Sequence, residues 1–142
     1  MAFNLLIVDD SSSMRAVIEK AVKVSGFNVG ECWEAADGKE AVKVLRNEWV
    51  DIVLADIIMP NMNGLELLAE MKKDQLLQSI PVVMVTTEGS EKSVQEAMKL
   101  GASGYVKKPF LPEDIERTLD SIIGKTEDGR KGQDEDYGGA DY

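Results

Sequence analysis

Five polar residues lie at or just beyond the ends of short apolar runs, and their side chains have the chemical groups needed for a reaction. They are Asp9, Asp10, Asp56, Thr86 and Lys108. Carboxylates, a hydroxyl and an ammonium together are typical of magnesium-assisted phosphoryl transfer, because the phosphoryl oxygens need positive charge and hydrogen-bond donors around them. We predict that Asp56 is the nucleophile and that Thr86 and Lys108 contact the phosphoryl group.

These five residues can meet only if the apolar runs form parallel strands. The runs alternate with segments of helical periodicity, a pattern typical of a parallel sheet with helices on both faces. The carboxyl ends of parallel strands lie at one edge of the sheet, and open α/β sheets bind their ligands at that edge. We therefore expect Asp9, Asp10, Asp56, Thr86 and Lys108 to lie together.

Three carboxylates at one edge need a counter-charge. At a separation of ~5 Å and an effective dielectric constant of ~20, each pair repels by about 3 kcal/mol. Oxygen ligands favour a hard cation, and Mg²⁺ is bound by one or two carboxylates together with waters and phosphate oxygens, so Mg²⁺ is the predicted cofactor. Taken one at a time, Asp9 and Asp10 would be interpreted as helix caps and Lys108 as a surface lysine. Their placement together with Asp56 and Thr86 favours a functional site instead.

Five strand-and-helix units are predicted between residues 4 and 123. The predicted strands cover residues 5–8, 28–35, 52–56, 82–85 and 104–106. The helices are predicted to begin at Ser11 or Ser12 and near residues 37, 64, 90 and 112, with Val17 and Met98 among the side chains facing the core. Residues 1–124 are expected to form one domain, and residues 125–142, acidic and without an aliphatic cluster, a disordered tail.

The charge balance limits the classes of partner. The 142 residues carry a net charge of -10 and contain no His, which argues against nucleic-acid binding, a His-based triad and a zinc site. The single Cys32 cannot form an internal disulfide and is interpreted as a small buried hydrophobe. Because the sequence lacks a signal-peptide pattern and any apolar run of ~20 residues, we expect a cytoplasmic protein without membrane insertion. Its partners should be proteins or cations.

Four separated motifs resemble those of the response-regulator receiver family. They are Leu6-Ile7-Val8-Asp9-Asp10, Asp56 with Met59-Pro60, Val85-Thr86, and Lys108-Pro109-Phe110. Residues 60–68 and 101–106 are similar to the chemotaxis branch of that family, CheY. The resemblance covers nearly all of residues 3–123. It implies a flavodoxin-like α/β fold, with a single doubly wound sheet of five parallel strands in the order 2-1-3-4-5 and five helices.

The resemblance also implies how the acidic residues would be used. Asp56 would be the phosphoacceptor and would take its phosphoryl group from a phosphohistidine of a CheA-like sensor histidine kinase. Asp10 and Asp56 would bind Mg²⁺ directly and Asp9 would bind it through water. The backbone carbonyl of Ile58 would complete the protein's share of the metal ligands.

For the other site residues, the resemblance implies contact with the phosphoryl group and a conformational switch. Lys108 would pair with the phosphoryl group across a cis bond to Pro109. Thr86 and Tyr105 would be the switch residues, with the fourth helix, fifth strand and fifth helix as the output surface. The expected partners of this monomer are the kinase, a downstream target such as a flagellar motor switch protein, and a phosphatase.

Ile58 departs from the pattern, because CheY proteins carry Asn there, and residues 88–91 and Thr118 replace lysines of the CheY output surface. The predicted function is a stand-alone, CheY-like regulator in chemotaxis, a phosphoacceptor with slow self-dephosphorylation rather than an enzyme. The alternatives are a non-chemotactic receiver that serves as a relay intermediate or phosphate sink, and an interaction module independent of phosphorylation. A flavin-binding flavodoxin is disfavoured because Ser11-Ser12-Ser13 lacks the glycine of its phosphate loop.

Overall fold

Five strands form one fully parallel sheet. The computed structural model describes residues 2–127 of the 142-residue chain. In these residues the strands run in the spatial order β2-β1-β3-β4-β5. Their bounds are β1 (Phe3–Val8), β2 (Val29–Ala35), β3 (Ile52–Ala55), β4 (Val82–Thr86) and β5 (Gly104–Lys107). The predicted fold class and the strand order implied by the resemblance are confirmed.

A helix follows each strand, as expected for right-handed crossover connections between parallel strands. The helices are α1 (Ser12–Val24), α2 (Gly38–Asn47), α3 (Gly64–Lys73), α4 (Glu91–Lys99) and α5 (Pro112–Glu127). Four of them begin behind a side chain that accepts a hydrogen bond from a backbone N–H of the first turn, and these capping residues are Ser11, Asp37, Asn63 and Ser90. Short polar residues at these positions thus fix where each helix starts.

The two faces of the sheet are covered by separate groups of helices. Val53 and Ala55 of β3 pack into one apolar cluster with residues of α2, α3 and α4. Ile52 and Leu54 point to the other face and pack with residues of α1 and α5. Because alternate side chains of a strand point to opposite faces and both faces are buried, β3 is apolar at every position.

Two helical side chains predicted to face the core are exposed instead. Val17 in α1 is 50% exposed and Met98 in α4 is 47% exposed. Each lies next to the residue that is buried, Ile18 or Ala97, and successive residues are ~100° apart around an α-helix. The predicted buried stripe was therefore too wide on these two helices.

The last helix extends three residues past residue 124, where the predicted domain ends. Helix α5 runs to Glu127, and the remainder of the predicted acidic tail, 128–142, lies outside the described residues. Within residues 2–127, no helix combines the length and the apolar character needed to cross a bilayer.

Candidate functional site

The register of the central strands places Asp9 beside Asp56. Val8 of β1 pairs with Ala55 of β3, and each aspartate is the next residue along its strand. The backbone N–H of Asp56 also donates to the Val8 carbonyl at 2.9 Å, which extends the pairing to the end of both strands. Both carboxylates are buried, with side-chain exposures of 2% for Asp9 and 10% for Asp56.

Lys108 contacts both of these carboxylates. Its Nζ lies 2.7 Å from Oδ2 of Asp9 and 3.0 Å from Oδ2 of Asp56, and its own side chain is only 10% exposed. The lysine reaches this position because its backbone N–H donates to the Thr86 carbonyl at 2.9 Å, so that β4 holds the end of β5. The implied cis peptide bond between Lys108 and Pro109 is present.

The surroundings of Lys108 act on its pKa in opposite directions. Burial lowers the pKa of the Lys108 ammonium, but the hydrogen bonds to Asp9 and Asp56 and their negative charges outweigh burial, so the pKa lies above its ordinary value. The ammonium is therefore fully protonated at neutral pH. One positive charge thus faces two buried negative charges, which leaves the site with an excess of negative charge.

Asp10 does not join the buried pair. Its side chain is exposed, and in the part of the chain that the structure describes no three acidic, His or Cys side chains form a ligand cluster. Of the three carboxylates expected at this edge, the structure brings Asp9 and Asp56 together on Lys108 and leaves Asp10 exposed. Asp9 directly follows β1 and is buried, whereas the chain bends at Asp10 and turns toward α1, where Asp10 is exposed.

The oxygen atoms at this edge nevertheless suit Mg²⁺. That ion needs only one or two protein carboxylates and keeps several waters, so a pair of buried aspartates with an exposed third one nearby is sufficient in number and type. The backbone carbonyl of Ile58 accepts no hydrogen bond from any described residue, so its oxygen is free to be a further ligand. The excess negative charge around Lys108 adds a favourable field for a cation.

Thr86 and Tyr105 are connected through one loop. Thr86 is fully buried, and its Oγ1 accepts a hydrogen bond from the backbone N–H of Glu88 at 3.1 Å. The hydroxyl of Tyr105 donates to the backbone carbonyl of the same Glu88. Burial, followed by the negative charges of Glu88 and Asp56, raises the pKa of Tyr105, so the phenol keeps its proton.

Glu88 ties this loop to the start of α4. Its Oε2 accepts hydrogen bonds from the hydroxyls of Ser90 and Ser93, both at 3.0 Å. The side chain of Glu88 is therefore already engaged by α4. The pair predicted as switch residues, Thr86 and Tyr105, contacts the same loop from β4 and β5.

Several residues that shape the site were not identified from the sequence. Arg15 donates to the Asp9 carbonyl at 2.6 Å, and Asn61 donates to Asp37 across two loops. Gly64 starts α3 so close behind the site that a Cβ there would lie 2.2 Å from the Asp56 carbonyl oxygen. Only the turn-forming composition around Gly64 hinted at such a close approach, and nothing in the sequence indicated the hydrogen bonds of Arg15 and Asn61.

The sequence of the chain matches a known protein family. A family model described as the response regulator receiver domain matches residues 5–120. The chain belongs to the response regulator receiver family. The resemblance noted in the sequence is thereby confirmed over most of the chain.

Individual receivers with similar sequences or structures include several chemotaxis proteins. A chemotaxis protein CheY homolog from Campylobacter jejuni is 39% identical over 121 residues, which cover 84% of this chain and 92% of the relative. CheY4 of Vibrio cholerae superposes with a TM-score of 0.76 at 33% identity, covering 86% of this chain and 99% of CheY4. A chain of the CheX-CheY-BeF3-Mg²⁺ complex from Borrelia burgdorferi has a TM-score of 0.76 at 32% identity, with coverages of 85% and 89%. This receiver is thus CheY-like in sequence and fold.

Proposed function

We propose that this receiver is a stand-alone response regulator whose Asp56 accepts a phosphoryl group from a phosphohistidine of a CheA-like sensor kinase. The observation that supports this function best is the contact of Lys108 with both Asp9 and Asp56 at the carboxyl edge of the sheet. An ammonium held beside a buried carboxylate is suited to receive the phosphoryl oxygens that arrive at that carboxylate.

The transfer itself exchanges one bond for another. An oxygen of the Asp56 carboxylate attacks phosphorus, a P–O bond forms, and the P–N bond to the kinase imidazole breaks with its electron pair returning to nitrogen. An ammonium has three hydrogens, and among the described residues only Asp9 and Asp56 accept from Lys108, so one hydrogen is left for a phosphoryl oxygen.

Thr86 supplies the second donor in this proposal. Its Oγ1 accepts from Glu88, but no acceptor among residues 2–127 takes the hydroxyl hydrogen. Turning that hydrogen toward a phosphoryl oxygen on Asp56 would pull on the loop that Glu88 shares with Tyr105. We propose this coupling as the switch that alters the surface of α4, β5 and α5.

Asp10, Asp56 and the Ile58 carbonyl are the groups proposed to hold Mg²⁺ directly, with Asp9 acting through water. When bound, the ion supplies positive charge that neutralises the phosphoryl oxygens. Asp10 is exposed, so it is open to a hydrated cation from solvent, whereas Asp9 is already engaged by Lys108. This difference in exposure agrees with the roles that the resemblance implies.

The lifetime of the phosphoryl group is proposed to depend on Ile58. Hydrolysis needs a water in line with the bond that breaks, and the side chain two residues beyond Asp56 lies beside that approach. Ile58 is 57% exposed and offers no hydrogen bond to such a water, whereas Asn at this position would. The carboxylate of Glu88 is engaged by Ser90 and Ser93. We therefore propose slow self-dephosphorylation.

A role in chemotaxis is supported by the CheY homologs, with a flagellar motor switch protein as the proposed target and a phosphatase as a further partner. The complex from Borrelia burgdorferi contains CheX, which is a property of that relative. Location in the cytoplasm and the monomeric state stay predictions from the sequence.

Phosphorylation of purified protein tests the proposal directly. Incubation with Mg²⁺ and a small phosphodonor should add one acid-labile phosphoryl group, and Asp56→Asn should abolish it. Asp120→Asn, a change of an exposed aspartate in α5, is the matched control and should be labelled like wild type. Labelling that survives in Asp56→Asn would refute the assignment.

The outcome also separates the alternative functions. No labelling of the wild type would favour an interaction module that is independent of phosphorylation. Labelling without any change in affinity for a motor switch protein, but with transfer onward to a second histidine-containing protein, would favour a relay intermediate or phosphate sink.

A further inference from the structure

Asp37 and Asn61 join two loops at the carboxyl edge of the sheet. Asp37 lies between β2 and α2, and Asn61 lies in the β3–α3 loop, which begins at Asp56 and contains Ile58. The side-chain amide of Asn61 donates to Oδ2 of Asp37 at 2.7 Å. Asp37 is only 7% exposed whereas Asn61 is exposed, so the bond is partly buried.

Helix capping accounts for only one of the two oxygens of the Asp37 carboxylate. Its Oδ1 accepts the backbone N–H of Glu40 at 2.9 Å, which is the bond expected of an N-cap residue. A serine would make the same cap with a single oxygen. The second oxygen is used for Asn61, and this bond lies outside the helix and contributes nothing to its start.

Two further features hold the same loop against α2. The backbone N–H of Gly38 donates to the Met62 carbonyl at 2.9 Å, and a Cβ at Gly38 would lie 2.8 Å from that carbonyl oxygen. Asn61 itself has φ of 64°, a left-handed conformation that Asn adopts more readily than most residues. Such a conformation persists when the surrounding contacts determine it.

Asp37 itself is not available as a metal ligand. The backbone N–H of Glu40, followed by the amide of Asn61, lowers the pKa of Asp37, so the carboxylate is ionised with both oxygens in use. Its effect on the site is therefore indirect. It acts on the loop that runs from Asp56 past Ile58 to the start of α3.

We propose that Asp37 and Asn61 are a positioning pair that fixes the β3–α3 loop on α2 and thereby sets where the Ile58 carbonyl stands relative to Asp9 and Asp56. This inference rests on the proposed function, because it assigns the pair an effect on the cation site. Partners that orient metal ligands in this indirect way typically change metal affinity by about 10–100-fold when they are removed.

Two single variants remove the bond without removing what surrounds it. In Asn61→Gly, the glycine can adopt the left-handed conformation but has no side-chain amide to donate to Asp37. Asp37→Ser keeps an N-cap oxygen for α2 but has no second oxygen for Asn61. Asp74→Ser is the matched control, because Asp74 also accepts a backbone N–H, that of Leu76, but follows α3 at the opposite edge of the sheet.

The double variant Asp37→Asn/Asn61→Asp restores the bond with donor and acceptor exchanged. The new amide at position 37 would donate to the new carboxylate at position 61, its oxygen would still cap α2, and the net charge would be unchanged. Asp, like Asn, is enriched in the left-handed region. A loss caused by the altered side chain itself, and not by the missing bond, would not be recovered by this exchange.

The measurement is Mg²⁺ affinity by calorimetry, together with the Mg²⁺-induced NMR shift of the Met59 amide, which shares a peptide group with the Ile58 carbonyl. We expect affinity to fall about tenfold in Asn61→Gly and Asp37→Ser, with a smaller Met59 shift, and to recover in the double variant. Asp74→Ser should bind like wild type.

Each other result decides against the inference in a recognisable way. If wild type binds Mg²⁺ and shifts Met59 while both single variants bind equally well, the positioning role is wrong and the proposed function stands. If affinity falls but the exchanged pair does not restore it, the Asp37–Asn61 bond is not the cause. If wild type binds no Mg²⁺ at all, the metal site of the proposed function fails, and the inference with it.

Discussion

Replacing Lys108 by Ala would show how the buried carboxylates are held in the folded protein. The lysine side chain is 10% exposed and its Nζ lies 2.7 Å from Asp9 and 3.0 Å from Asp56. Breaking a buried ion pair by removing one partner costs about 3–5 kcal/mol, because the remaining charge stays buried and unpaired. The free energy of unfolding of a domain is about 5–15 kcal/mol, so Lys108→Ala should be less stable than wild type but still folded enough for its unfolding to be measured.

Magnesium should recover part of that loss. A cation that binds only the folded state adds about 2.7 kcal/mol at a concentration of 100 times its Kd. In wild type the Lys108 ammonium competes with a cation for the oxygens of Asp9 and Asp56, whereas in Lys108→Ala it does not. The variant should therefore bind Mg²⁺ as tightly as wild type or more tightly.

Urea unfolding followed by the fluorescence of Trp33 and Trp49, in EDTA and at several Mg²⁺ concentrations, gives both quantities. Lys107→Ala is the matched control, because Lys107 is the exposed neighbour and lies outside the contact with the aspartates. A large fall in Mg²⁺ affinity in Lys108→Ala would refute the competition. An unfolding free energy equal to that of wild type in EDTA would refute the buried-pair reasoning.

The difference in unfolding free energy between wild type and Lys108→Ala should depend on pH in one direction. The folded-state pKa of Lys108 is raised above the ordinary value of 10.5. A group with a raised pKa stabilises the folded state fully below its unfolded pKa and loses that contribution as pH rises through the folded value. The difference between wild type and Lys108→Ala that arises from this ammonium should persist through neutral pH and decline only in strongly alkaline solution.

Three further changes have expected results. Ile58→Asn should lose its phosphoryl group faster than wild type under identical Mg²⁺ conditions, and an equal or slower rate would contradict the role given to Ile58. Gly64→Ala should lower the unfolding free energy by about 1–3 kcal/mol in urea titrations, because its Cβ would press on the Asp56 carbonyl 2.2 Å away. Truncation after Glu127 should leave the Tm nearly unchanged, since the removed segment has no aliphatic cluster.

The sheet and its functional edge could be predicted because the relevant signals are local. Short apolar runs that end in a polar residue locate both the strand and the residue that follows it, as with Val8 and Asp9 or Ala55 and Asp56. Parallel pairing then places those residues at one edge whatever the details of the helices. The family resemblance added the cis bond to Pro109, which composition alone could not indicate.

The parts that could not be predicted depend on direction and on distant contacts. Periodicity locates a helix but leaves its rotation uncertain by about one residue, which is why Val17 and Met98 were placed inward although they are half exposed. The bond between Asp37 and Asn61 joins residues 24 positions apart in sequence, and no local pattern specifies it. The contact from Arg15 to the Asp9 carbonyl spans six positions and depends on the rotation of α1, which periodicity alone leaves open.

Asp9 and Asp10 are adjacent in sequence, yet only Asp9 is buried. The register pairs Val8 of β1 with Ala55 of β3, so Asp9 and Asp56 follow the two strands side by side. Asp9 contacts Lys108, and Asp10, where the chain bends, is exposed to solvent. A cation proposed to approach from solvent can then meet the Asp10 carboxylate first, while the ammonium remains in contact with Asp9. Lys108 thus compensates one of the two buried negative charges before any ligand arrives, and the remaining negative charge favours a cation.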